Sequence, residues 1–177
     1  MRLIRLVLVV IIVTFLKTGA VIAMDKTDLM VGMKTLPLLN NKITGSIKIA
    51  IVFDPNQHDS KLEAETVKSL IDSGLELPGD LSADAVMIPV SQLEKMASVK
   101  IAIITSNLVA YYNQISNAAT QYKILTMSTD LDCVQHNKCV LGIISKPRVE
   151  IYYSKIAAAN SEISFGQAFT TLIKPVP

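Results

Sequence analysis

The sequence has no tryptophan, two cysteines and two histidines, and its seven glycines and seven prolines are spread over 177 residues. So little glycine and cysteine excludes a collagen-like rod and a disulfide-dense mini-protein. Half of the residues are apolar, which excludes a disordered chain. Neither Gly-x-Gly-x-x-Gly nor Gly-x-x-x-x-Gly-Lys occurs, so no glycine-rich loop is there to cradle a phosphate. A Gly-x-Ser-x-Gly nucleophile elbow is also missing. With no cofactor loop, nucleophile or second metal-ligand cluster, the expectation is a binding or regulatory protein without a cofactor.

The charge is unevenly placed. The formal net charge is +2, but Arg2, Arg5 and Lys17 are the only charged residues among the first 23. Without them, 14 basic residues face 15 acidic ones, a net charge of −1 that leaves no footprint for nucleic acid. Residues 1–23 read as a secretory signal peptide. Arg2 and Arg5 form its positive start, Leu6 to Leu16 its apolar run, and Val21-Ile22-Ala23 a cleavage site that leaves Met24 as the mature N-terminus. The apolar run falls short of the roughly 20 residues that span a bilayer. The expected location is the periplasm.

The rest, 24–177, is expected to form a single α/β domain. Leu29, Met30, Met33 and Leu36 make a helical stripe that Pro37 stops. Ile47 to Phe53 and Val99 to Ile104 are short β-branched apolar runs, typical of strands buried on both faces. Further strands are expected at Ala85 to Ile88, Lys123 to Met127, Val140 to Ile144 and Arg148 to Tyr153, with a helical turn at Ser91 to Lys95. Ser60-x-x-Glu63 has the form of a capping box opening a helix that buries Leu62, Val67, Leu70 and Ile71 and ends at Gly74. Leu108 to Tyr122 is the clearest amphipathic helix, its apolar positions recurring every three or four residues. Ser164-x-x-Gln167 is a second capping box, for a helix burying Phe165, Ala168, Phe169, Leu172 and Ile173. Strands alternating with helices imply a mostly parallel sheet covered by helices. The turn Ser145-Lys146-Pro147 makes the last two strands an antiparallel hairpin on its edge.

Cys133 and Cys139 flank the polar stretch Val134 to Lys138. An even cysteine count in an exported chain argues for a disulfide, here closing a short exposed loop. The competing reading is a metal site built from Asp130, Asp132, Cys133, His136 and Cys139, but an oxidising compartment removes the thiolates it needs. His58 beside Asp54 and Asp59 reads as a solvated loop histidine. Asp54 and Asp130 could share acid–base work only if folding brought them together.

In open α/β sheets, ligands sit beyond the carboxyl ends of the strands. Those ends carry Asp54 and Asn56, then Thr105, Ser106 and Asn107, then Ser128, Thr129 and Asp130. All eight are small hydrogen-bonding groups and form the candidate ligand site. An apolar docking surface is expected from the Leu29, Met30, Met33 and Leu36 stripe or from one of Tyr152 and Tyr153.

The order of features, "IKIAIVFDP", "VKIAIIT", "KILTMSTD", a cysteine loop, "CVLGIIS" and "RVEIYYSKIAAANSEISF", resembles the YfiR/HmsC-like family of periplasmic proteins. Ser128, Asp130, Arg148, Val149, Glu150, Ile151, Ala157 and Ala158 carry most of the likeness. It implies a bridge between the two cysteines and a role restraining an inner-membrane diguanylate cyclase, so lowering cyclic di-GMP signalling. The stretch "IKIAIVFDPNQHDSKLEAETVKSLI" is also similar to one lobe of ABC-transporter substrate-binding proteins, which implies a small-solute ligand.

Overall fold

Residues 23–177 are described by the computed structural model, so the expected leader lies, but for Ala23, outside the described residues. No helix among them is long and apolar enough to cross a membrane.

Seven strands form one sheet: β1 (Ser46–Phe53), β2 (Ser82–Pro89), β3 (Ile101–Ile104), β4 (Leu125–Ser128), β5 (Leu141–Ile144), β6 (Glu150–Tyr153) and β7 (Lys174–Pro175). Their spatial order is β2-β1-β3-β4-β5-β6-β7. The first five run parallel, and β6 returns antiparallel to β5. The two-residue β7 pairs parallel with β6, so β7 rather than the hairpin is the outer edge. Parallel strands need long crossovers, and the helices supply them. The α-helices are α1 (Lys26–Met33), ahead of β1, then α2 (His58–Asp72), α3 (Tyr112–Tyr122), α4 (Leu131–Gln135), α5 (Lys155–Asn160) and α6 (Gln167–Thr170). Shorter 3₁₀ segments cover Leu36–Leu38, Val90–Ser98 and Val109–Tyr111.

Alternation along the central strands divides the core. Ile49, Ile51, Ile101 and Ile103 face one side, where Leu29 and Met33 of α1 and Ala64, Val67 and Ile71 of α2 cover them. Ala50, Val52, Ala102 and Ile104 face the other, against Met96 and Tyr112, Ile115 and Ala119 of α3. The small Ala50 and Ala102 sit side by side in register.

Several local expectations are corrected. The first helix starts earlier than its apolar stripe, because Asp25 caps it and forms a reciprocal capping box with Asp28. Ser60 and Glu63 form no capping box: α2 opens at His58 after Gln57, and both side chains turn into the protein. Leu62 is exposed rather than core. The final helix is only the single turn of α6, opening after Gly166 without a side-chain cap, and Leu172 is 83% exposed. Of the residues expected at a docking surface, Met33 and Tyr153 are buried and Tyr152 is half-buried. Met33 packs under the sheet, and Tyr153 meets Phe165 edge to face at 5.8 Å.

Candidate functional site

The strand order reverses direction between β1 and β3, which places the switch point of this doubly wound sheet at their carboxyl ends. The eight candidate residues lie at the carboxyl ends of β1, β3 and β4, in two tiers. Asp54, Thr105, Ser106, Ser128 and Thr129 are buried, whereas Asn56 and Asn107 are exposed and Asp130 is half-buried.

The buried tier is held by its own hydrogen bonds. Ser60 Oγ lies 2.7 Å from Thr105 Oγ1 and accepts from the Asp54 amide at 3.0 Å. Thr105 Oγ1 also donates to the Val52 carbonyl, and Ser128 Oγ to the Ile104 carbonyl, tying the strand ends together. The Asp54 carboxylate accepts from the Asn56 amide, shaping the turn that aims Asn56 outward. Asp130 accepts the Tyr112 hydroxyl proton at 2.6 Å and caps α4 through the Asp132 amide at 3.1 Å. Burial, together with the neighbouring Asp130, holds the Tyr112 hydroxyl far above the ordinary tyrosine range, so it stays a proton donor. Among the described residues no hydrogen bond joins Asp54, His58 and Asp130, and His58 is exposed.

One residue at the centre of this end reads in the sequence only as a capping acid. Glu63 is 2% exposed and reaches from α2 to the end of β3. Its Oε2 accepts from the Ser106 amide at 2.8 Å and the Ser106 hydroxyl at 2.6 Å, and its Oε1 from the Met24 amide at 2.8 Å. Burial pushes its carboxyl above 4.5, and these three donors only partly offset that. A charged residue one helical turn after Asp59 on an otherwise amphipathic α2 was the available signal.

Cys133 and Cys139 are joined in a disulfide, so the two sulfurs the metal reading required are bonded to each other. Both are fully buried rather than in an exposed loop, because Leu131–Gln135 is helical and packs on β5. Gly142 of β5 permits that packing: a Cβ there would lie 2.6 Å from Val134 Cγ1.

At the opposite, amino end of the sheet a groove of about 650 Å³ opens beside Ile43, Lys48, Lys100 and Lys123. Lys123 pairs with Glu162 across it at 2.6 Å. Its lining is dispersed over four stretches of the chain, which is why no local motif announced it.

No family model matches the chain, and no curated protein does. Solved structures share its fold. A domain from Streptococcus pneumoniae, described as an ABC domain in complex with L-Trp, is 11% identical with a TM-score of 0.61, over 85% of this chain and 60% of that one. A substrate-binding protein with adhesive properties from Clostridium difficile, in its ligand-free open form, is 13% identical with a TM-score of 0.60, over 82% and 58%. A conserved domain protein from Vibrio cholerae is 13% identical with a TM-score of 0.58, over 86% and 60%. The chain thus covers about 60% of the length of these proteins. At 11–13% identity, what the chain shares with these proteins is the fold.

Proposed function

We propose that the chain is a non-enzymatic ligand-binding protein of the substrate-binding kind, working outside the cytoplasm. The observation that carries the reading is the switch point between β1 and β3, with hydrogen-bonding groups facing out over a pre-organised buried tier. Asn56, Asn107 and Asp130 follow three adjacent strands, so at ~4.8 Å per strand they span roughly 10 Å, room for a small polar solute. Asp130 suits an ammonium group, and the two side-chain amides suit a carboxylate. A free amino acid is the first probe because the Streptococcus pneumoniae neighbour is described with L-Trp. The cyclase-regulator reading has less support, since Met33 and Tyr153, two of the residues expected to dock the partner, are buried.

Thermal melts of the exported protein with each common amino acid test this. A ligand at a hundred times its Kd stabilises by about 2.7 kcal/mol, or roughly 5–11 °C for a domain of this size. Asn56→Ala combined with Asn107→Ala should abolish the shift while leaving the ligand-free melt in place. A shift that survives this pair but disappears in Lys48→Ala with Lys100→Ala assigns the ligand to the groove at the amino end. If no amino acid moves the melt, that ligand class is rejected.

A further inference from the structure

Glu63 is a buried carboxylate whose three hydrogen-bond donors, the Met24 amide and the amide and hydroxyl of Ser106, are all uncharged. Among the described residues, the charged or titratable groups that bear on it, Asp130 and the Tyr112 phenol, include no cation. A buried carboxylate without a cationic partner is costly to hold ionised. One of its three donors is the main-chain nitrogen of Met24, 2.8 Å away, with the Met24 side chain 2% exposed and Ala23 exposed just before it. That nitrogen is the atom that cleavage after Ala23 would free.

We propose that removal of the leader turns the Met24 nitrogen into the ionic partner of Glu63, so that export processing completes a buried ion pair at the β1–β3 switch point. Hydrolysis of the Ala23–Met24 peptide bond by the exporting cell's signal peptidase consumes one water. It leaves a carboxylate on Ala23 and, after protonation, an α-ammonium on Met24. The α-amino group ordinarily titrates near pH 7.7–8.0, so it is mostly charged at neutral pH before any help from Glu63. No rearrangement is required, because donor and acceptor already stand at hydrogen-bond distance. Met24 directly precedes Asp25, the N-cap of α1, so the pair also pins the start of α1 against α2 and the end of β3. The inference rests on export and not on ligand binding, and its test involves no ligand.

The experiment compares the processed protein from the periplasm with a chain carrying Gly-Ser ahead of Met24, each with Glu63 and with Glu63→Gln. Intact mass should give Met24 as the mature N-terminus; a different start overturns the proposal. A charge-assisted hydrogen bond exceeds a neutral one by about a factor of ten in the folding equilibrium, so the processed form should unfold about tenfold less readily at neutral pH than the extended form. With Glu63→Gln that ratio should fall below about twofold, the loss of coupling a double-mutant cycle reads. In the folded state at neutral pH, an amine-reactive reagent should label the Met24 amine at least about tenfold more slowly than the extended form's glycine amine. Equal stabilities of processed and extended chains, an unchanged ratio with Glu63→Gln, or equally fast labelling each overturn it.

Discussion

Glu63 shows how a residue's role follows from its partners rather than from its sequence neighbours. Three positions after a serine, it has the form of a capping acid, yet its side chain serves groups 39 and 43 residues away. Ser60, the other half of that pattern, bonds Thr105, 45 residues away. A capping pattern signals what a helix end could use; it cannot register a strand end that offers buried donors to the same side chains. Burial raises the Glu63 carboxyl above 4.5. A carboxyl raised in the folded state binds its proton more tightly there than in the unfolded chain. Its contribution is therefore fully present below about 4.5 and is lost as pH rises through the folded value. In a chain with residues ahead of Met24, wild type should lose stability relative to Glu63→Gln as pH rises above about 4.5. Urea midpoints across that range measure it. A parallel pair of curves would mean that Glu63 does not titrate in that window.

At the scale of elements, the strands were legible and the ends of helices were not. Runs such as IKIAIVF can only be satisfied inside a sheet covered on both faces, and β1 and β3 lie where those runs stand. The strand-end set was legible for the same reason, since small polar residues directly follow each run. Which of them face water was not, because burial depends on α2 and α3 closing over them. Short helices gave the weakest signal. α4 has five residues and α5 six, too few to be stable alone, so only tertiary contacts define them. For α4 those contacts are the Asp130 cap, the disulfide and the approach over Gly142. The disulfide closes a loop of about seven residues, for which the chain-entropy estimate is about 2.4 kcal/mol. Cys133→Ala with Cys139→Ala should lower stability by about that amount, read by urea unfolding. Because both sulfurs are buried, reductant should attack only as the protein opens, so reduction should accelerate in mild denaturant. Reduction at the rate of a model peptide disulfide would contradict the buried placement. Gly142→Ala should cost roughly 1–3 kcal/mol by forcing α4 off β5, again measured in urea. An unchanged midpoint would show that α4 moves freely.

For the molecule as a whole, one sheet belongs to two cores. Adjacent residues of β3 point to opposite faces, Ile103 toward α1 and α2 and Ile104 toward α3, and both are fully exclusive of solvent. Neither layer of helices can leave without stripping one side of strands that the other side still needs. The two cores should therefore melt together, as one cooperative unit. Ile103→Ala and Ile104→Ala are each expected to cost roughly 2–5 kcal/mol. For a chain of this size that corresponds to roughly 4–20 °C in Tm. The informative quantity is the shape of the transition rather than its position. Either substitution should move the far-UV signal, which reports all helices, and the tyrosine signal together, although Tyr112 lies on the α3 side and Tyr153 on the α1 side. If Ile103→Ala separates the two signals while Ile104→Ala does not, the α1–α2 layer is a separately folding cover. The switch-point network, which joins Glu63 of α2 to Ser106 after β3, would then be made and broken with that layer. A single coincident transition in both variants ties the pre-organisation of the strand-end site to the stability of the entire fold.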